Sequence, residues 1–105
     1  MEISLSGKTI LITGGTSALG EAFVKQAIKT GAAILFTYHS DLEKTKELSS
    51  LGAQAFPVDF SDRAQVKTFA KEIKSKFDSL DGLIHNAAIT RDKTIQNLEE
   101  IKNFL

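Results

Sequence analysis

Short apolar runs alternate with longer segments of helical spacing from one end of this chain to the other, and this alternation limits its fold more than any other feature. The apolar runs are Thr9–Thr13 and residues 32–38, 53–58 and 83–87. Each is bounded by Gly, Asp or Ser, and most do not alternate with polar residues, as expected of strands covered on both faces. The clearest helical segment places Val66, Phe69, Ala70, Ile73 and Phe77 on one stripe. Lys67, Lys71, Glu72, Lys74 and Lys76 face water between them, and Asp62 or Ser61 serves as its N-cap. A second helix is expected over residues 19–30, with Leu19, Ala22, Phe23 and Ala27 inward and Gly31 as its stop. A third is expected over residues 41–51, with Asp41 at its start, Leu42, Leu48 and Leu51 inward, and Gly52 at its end. A fourth begins between Asp92 and Asn97. The order β-α-β-α-β-α-β-α implies parallel strands joined by right-handed helical crossovers, packed as a doubly wound sheet.

Composition narrows the function classes. The chain has 105 residues, 42% apolar and 25% charged, enough for one modest domain with a real core. Thirteen basic and thirteen acidic side chains cancel, so no basic surplus exists to bind nucleic acid. There is no cysteine, which excludes disulfide scaffolds, thiol nucleophiles and Cys-type zinc sites. No apolar run approaches the roughly 20 residues that span a bilayer, and the acidic start, Met1-Glu2-Ile3, is unlike a signal peptide. The expectation is a cytoplasmic protein with no membrane partner.

The chemistry lies between the first strand and the first helix, at Thr13-Gly14-Gly15-Thr16-Ser17-Ala18-Leu19-Gly20. A helix N-terminus offers unpaired N–H groups and partial positive charge, which suits a phosphate. Gly14 allows a tight turn after the strand, and Gly20 lets the helix press on the sheet. Thr16 and Ser17 bring hydroxyls beside the phosphate position. A glycine turn alone also serves any tight strand-to-helix connection.

Three motifs together resemble the short-chain dehydrogenase/reductase family. Gly14-x-x-x-Ala18-x-Gly20 after a threonine is similar to that family's cofactor fingerprint. Val58-Asp59-Phe60-Ser61-Asp62 resembles the turn after its third strand, where the Asp borders the adenine. Leu80 to Ala88 resembles its fourth strand, where Asn86-Ala87-Ala88 would pass beside the cofactor. Ile89-Thr90-Arg91-Asp92 looks most like the 3-oxoacyl thioester reductases of fatty-acid biosynthesis. The resemblance implies a partial Rossmann-type α/β fold with strands in the order 3-2-1-4 and helices on both faces. It implies an oxidoreductase activity that reduces a ketone with hydride from a nicotinamide dinucleotide. The residues it assigns to the cofactor are Gly14, Thr16, Ser17, Leu19, Gly20, Tyr38, His39, Ser40, Asp59, Phe60, Asn86, Ala87 and Ala88. Three departures stand out: Ala18 and Ala88 replace glycines, and His85 replaces a more usual asparagine.

The second strand ends Thr37-Tyr38-His39-Ser40, without the acid that takes the ribose hydroxyls of NAD. His39 and Ser40 can donate to a 2′-phosphate, so NADP(H) is expected ahead of NAD(H). As a polar loop residue, His39 would equally suit plain solvent exposure. Ser17 stands where many NADP-using relatives carry a basic residue. The family's Tyr-x-x-x-Lys pair does not occur. Tyr38 is the only tyrosine, and Leu42 lies four residues on. No fifth strand with its catalytic serine is present either. No histidine has a partner at metal-ligand spacing, so neither a catalytic nor a metal residue is assigned. Residues 1–105 therefore read as one incomplete dinucleotide-binding domain, a fragment without the catalytic half. Alternatives are a stand-alone nucleotide- or partner-binding module without catalysis, or a decayed remnant. The order 3-2-1-4 leaves the fourth strand on an edge, so self-association or a second polypeptide completing the sheet is expected. The apolar ending Ile101, Phe104 and Leu105 points the same way.

Overall fold

The computed structural model describes residues 4–15 and 17–85. Within them, seven elements alternate: β1 (Thr9–Thr13), α1 (Ala18–Ile28), β2 (Ala33–Tyr38), α2 (Leu42–Ser50), β3 (Gln54–Pro57), α3 (Arg63–Lys76) and β4 (Gly82–His85). The four strands form one parallel sheet in the order β3-β2-β1-β4, the expected fold class and order. The fourth helix and the apolar ending fall outside the described residues. No helix among the described residues is long and apolar enough to cross a membrane.

The sheet is covered on both faces because its apolar strands alternate in which face they serve. Leu11, Leu35 and Phe56 point to one side. They pack with Val66, Phe69, Ala70 and Ile73 of α3 and with Val58, Phe60 and Leu80. Ile12, Ile34 and Phe36 point to the other side, against Val24 of α1, Leu48 of α2 and Ala53. Phe56 and Phe69 meet with ring centroids 5.3 Å apart. The start of the β1–β4 pair is pinned by Asp81: Thr9 N–H donates to its Oδ2 at 2.8 Å, and Asp81 N–H donates to Thr9 O at 2.8 Å.

Local signals placed the helix ends. Asp62 caps α3 by accepting from the N–H groups of Ala64 and Gln65, and Asp41 caps α2 by accepting from Lys44 N–H. Gly31 and Gly52 adopt the positive φ that ends α1 and α2.

Two helix faces differ from expectation. In α1, Gly20 and Val24 are buried, while Ala22 faces solvent, Phe23 and Ala27 are half-buried and Leu19 is 59% exposed. Gly20, expected against the sheet, is buried, and Phe23 and Ala27 pack against the core as expected; Val24, rather than Ala22 or Leu19, completes the stripe. In α2, only Leu48 of the three expected leucines is buried; Leu42 and Leu51 are 60% and 48% exposed. The other inward residue is Thr45, whose hydroxyl donates to Asp41 O at 2.7 Å, so the sheet meets no unsatisfied oxygen.

Candidate functional site

All four strands end on the same edge of the sheet. Along that edge the chain presents Asp59 after β3, then Tyr38, His39 and Ser40 at and after β2, then the Gly14 turn after β1, then His85 of β4. The strand order reverses between β1 and β4, and doubly wound sheets bind ligands in the crevice at such a point.

The glycine turn is built by contacts from β2. Gly14 takes φ 68°, and its N–H donates to Thr37 Oγ1 at 3.0 Å. The next N–H, of Gly15, donates to Thr37 O at 2.9 Å. Gly15 lies so close to β2 that a Cβ there would come within 2.7 Å of Phe36 Cβ. Neither Gly15 nor Thr37 was among the expected site residues. Gly15 was legible as half of a glycine pair, but Thr37 reads only as one more residue of an apolar strand.

Ser17 is the N-cap of α1. Its hydroxyl accepts from Gly20 N–H at 3.0 Å and donates to Gly14 O at 2.9 Å. The hydroxyl therefore holds the turn, and its hydrogen is already committed to Gly14 O. The N–H groups of Ala18 and Leu19 have no hydrogen-bond partner among the described residues. These two donors, at the positive end of α1, fit an anionic group. Ala18 is exposed, so the methyl that replaces a glycine does not crowd the sheet.

Glu21, in the first turn of α1, would oppose an anion if its charge stood alone. Lys25 Nζ lies 2.7 Å from its Oε1 and Lys44 Nζ 2.9 Å from its Oε2. Both lysines also reach Glu47, at 3.3 Å each. Hydrogen bonds from Lys25 and Lys44 hold the Glu21 carboxyl below the usual carboxylate range. Hydrogen bonds from the same two lysines lower Glu47, and the glutamates raise both lysines.

On the β3 side, Asp59 Oδ1 accepts from Ser61 Oγ at 2.6 Å and from Ser61 N–H at 2.9 Å. Ser61 thereby lowers the Asp59 pKa. Asp59 N–H donates to Gln65 Oε1 at 2.9 Å. The other carboxylate oxygen, Oδ2, stands 4.0 Å from His39 Nε2. Tyr38 is half-buried against the α1 and α2 face, while Ser40 is exposed. Phe60, expected at the cofactor, is 1% exposed and belongs to the core beneath α3.

At the β4 end, Thr13 Oγ1 and His85 Nδ1 are 2.7 Å apart, linking the last paired residues of β1 and β4. The Phe60 ring lies beneath, 6.2 Å from the imidazole centroid. In the sequence His85 stands out only as a departure from a motif; its bond to Thr13 spans 72 positions and has no local signature. Thr16, Asn86, Ala87 and Ala88 lie outside the described residues. Among the described residues, no three His, Cys, Asp or Glu side chains are grouped to hold a metal.

The site's sequence and geometry have known counterparts. The short chain dehydrogenase family model matches residues 8–104. The 3-oxoacyl-(acyl-carrier-protein) reductase FabG of Staphylococcus aureus is 31% identical over 99 residues, covering 89% of this chain and 40% of that protein. The chain thus spans less than half the length of this curated relative. The Pseudomonas aeruginosa RhlG/NADP active-site complex superposes with a TM-score of 0.78 at 25% identity, over 98% of this chain and 47% of that one. The enoyl-(acyl-carrier-protein) reductase of Anaplasma phagocytophilum in complex with NAD gives 0.74 at 27% identity, over 86% and 37%.

Proposed function

This chain belongs to the short-chain dehydrogenase family, and we propose that it forms the NADP(H)-binding part of an oxidoreductase that reduces a ketone, a 3-oxoacyl thioester by its similarity to FabG. One observation carries this reading. The Gly14 turn and the N–H groups of Ala18 and Leu19, which have no hydrogen-bond partner among the described residues, meet at the switch point of a parallel sheet. The bound dinucleotide would supply the hydride. The residues of this chain would bind and orient it. The N–H groups at the start of α1 would take the pyrophosphate, and Thr37 would hold the glycine turn in shape. Asp59, His39 and Ser40 would border the adenosine, with Tyr38 packed behind them. Leu19, exposed in the first turn of α1, would offer the dinucleotide an apolar surface. Thr16, Asn86, Ala87 and Ala88 are assigned to the same cofactor by their motifs alone.

A second reading is a nucleotide-binding module without catalysis of its own; the only tyrosine of the 105 residues, Tyr38, has Leu42 four residues on. Calorimetric titration of the chain with NADPH and NADH tests what the two readings share. Saturable binding of NADPH, tighter than that of NADH, is expected. No binding of either would overturn the assignment. Ketone reduction by the 105-residue chain itself would decide against the module.

A further inference from the structure

The sheet edge brings together an imidazole and a carboxylate that sit 20 positions apart in the sequence, one just after β2 and the other just after β3. Ser61 occupies Asp59 Oδ1 through two hydrogen bonds, which leaves Oδ2 directed at His39 Nε2, 4.0 Å away. The His39 side chain is 70% exposed and that of Asp59 28%, so the imidazole can reach a ligand while the carboxylate stays anchored behind it. We propose that Asp59 and His39 act as one unit, which makes the choice between a 2′-phosphorylated and an unphosphorylated adenine nucleotide depend on pH. The proposal rests on the dinucleotide reading of this edge and names the group that would discriminate within it.

The physical argument is one of local charge. With His39 neutral, Asp59 leaves one uncompensated negative charge beside the second-strand end, and it repels a 2′-phosphate. With His39 protonated, that charge is balanced and Nε2 carries a hydrogen to donate. Histidine is the side chain whose charge ordinarily changes between about pH 5 and 8. Other charged groups come from three neighbouring elements. Asp41 caps α2 and accepts from Lys44 N–H. Lys44 Nζ is held by Glu21 and Glu47. Asp62 caps α3 beside Arg63, and Glu43 stands in the first turn of α2. His39 is the one imidazole in this set. Asp59 acts here through His39, as a positioning residue.

Adenosine 2′,5′-bisphosphate and 5′-AMP differ only in the 2′-phosphate, so the ratio of their affinities isolates that group. The ratio should be measured by calorimetry from pH 6 to 8.5 on the 105-residue chain and on His39→Gln and Asp59→Asn. A phosphate monoester itself titrates near pH 6, and His39→Gln records that contribution alone. For the unaltered chain we expect the ratio at pH 6 over that at pH 8.5 to exceed the His39→Gln value by at least about tenfold, the lower end of the scale of a hydrogen bond to a charged group. Asp59→Asn should raise the ratio at pH 8.5 and flatten its pH response. If both ligands bind but the response is the same in the unaltered chain and in His39→Gln, or Asp59→Asn leaves it unchanged, the inference falls and the dinucleotide reading stands. If neither ligand binds at any pH, both fall together.

Discussion

Single residues hold the glycine turn, and their roles differ by kind of contact. Gly14 is there for its φ of 68°, whereas Gly15 is there because β2 leaves no room for a methyl group. Gly15→Ala should therefore destabilise the fold by overpacking against Phe36, by ~1–3 kcal/mol in urea unfolding. An unchanged midpoint would mean that Phe36 yields without cost. Thr37 is buried and gives Gly14 N–H its side-chain acceptor. Thr37→Val keeps the shape and removes that oxygen, so it should cost ~1–3 kcal/mol and weaken NADPH binding. Neither contact can be read locally, because Gly14 and Thr37 are 23 positions apart.

At the scale of the element, amphipathic faces and charge pairs decide how α1 and α2 sit. Leu48 is fully buried, whereas Leu42 is 60% exposed. Leu48→Ala should cost ~2–5 kcal/mol through the cavity it leaves, and Leu42→Ala should stay within about 0.5 kcal/mol of the unaltered chain. Equal losses would contradict the packing. The Glu21, Lys25, Lys44 and Glu47 group ties the two helices across their solvent side. Its carboxyls are lowered by the lysine hydrogen bonds. Their contribution is therefore present above the ordinary carboxylate range and lost as pH falls through and below it. The lysines are raised by the glutamates, so their contribution is present below the ordinary lysine value and lost as pH rises past it. Because these groups are exposed, salt screens them. Lys44→Gln should flatten the acid side of a melting-temperature profile at low salt, and 1 M NaCl should erase the difference. An acid side identical in both chains would show that the ring adds nothing.

For the molecule as a whole, the sheet has two kinds of edge. β3 ends on Pro57, a residue that suits an edge because it has no N–H to pair. β4 pairs with β1 on one side and has no partner strand on the other among the described residues. Its Gly82, Leu83 and Ile84 are half-buried, less covered than the inner strand residues Leu11 and Leu35. An open apolar edge invites pairing. Sedimentation velocity on the 105-residue chain should show association that rises with concentration. A single species at monomer mass over a wide range would contradict this.

What the sequence determined alone is what local chemistry encodes. The alternation of apolar runs and 3.6-residue stripes produced the element order, and the parallel order 3-2-1-4 followed with the motif resemblance. Asp41 and Asp62 marked helix starts, and Gly14, Gly31 and Gly52 marked places where φ must be positive. The stripe of α3 was legible because Val66, Phe69, Ala70 and Ile73 are large and evenly spaced. The stripe of α1 was legible in Gly20, Phe23 and Ala27 but not in Val24, and that of α2 only in Leu48, because Thr45 carries little apolar signal. The tertiary structure alone decided which groups meet at the sheet edge. Thr13 with His85, Gly14 with Thr37, Gly15 with Phe36 and His39 with Asp59 come together only because parallel strands end side by side. Distance through space, which no local pattern records, makes them a site.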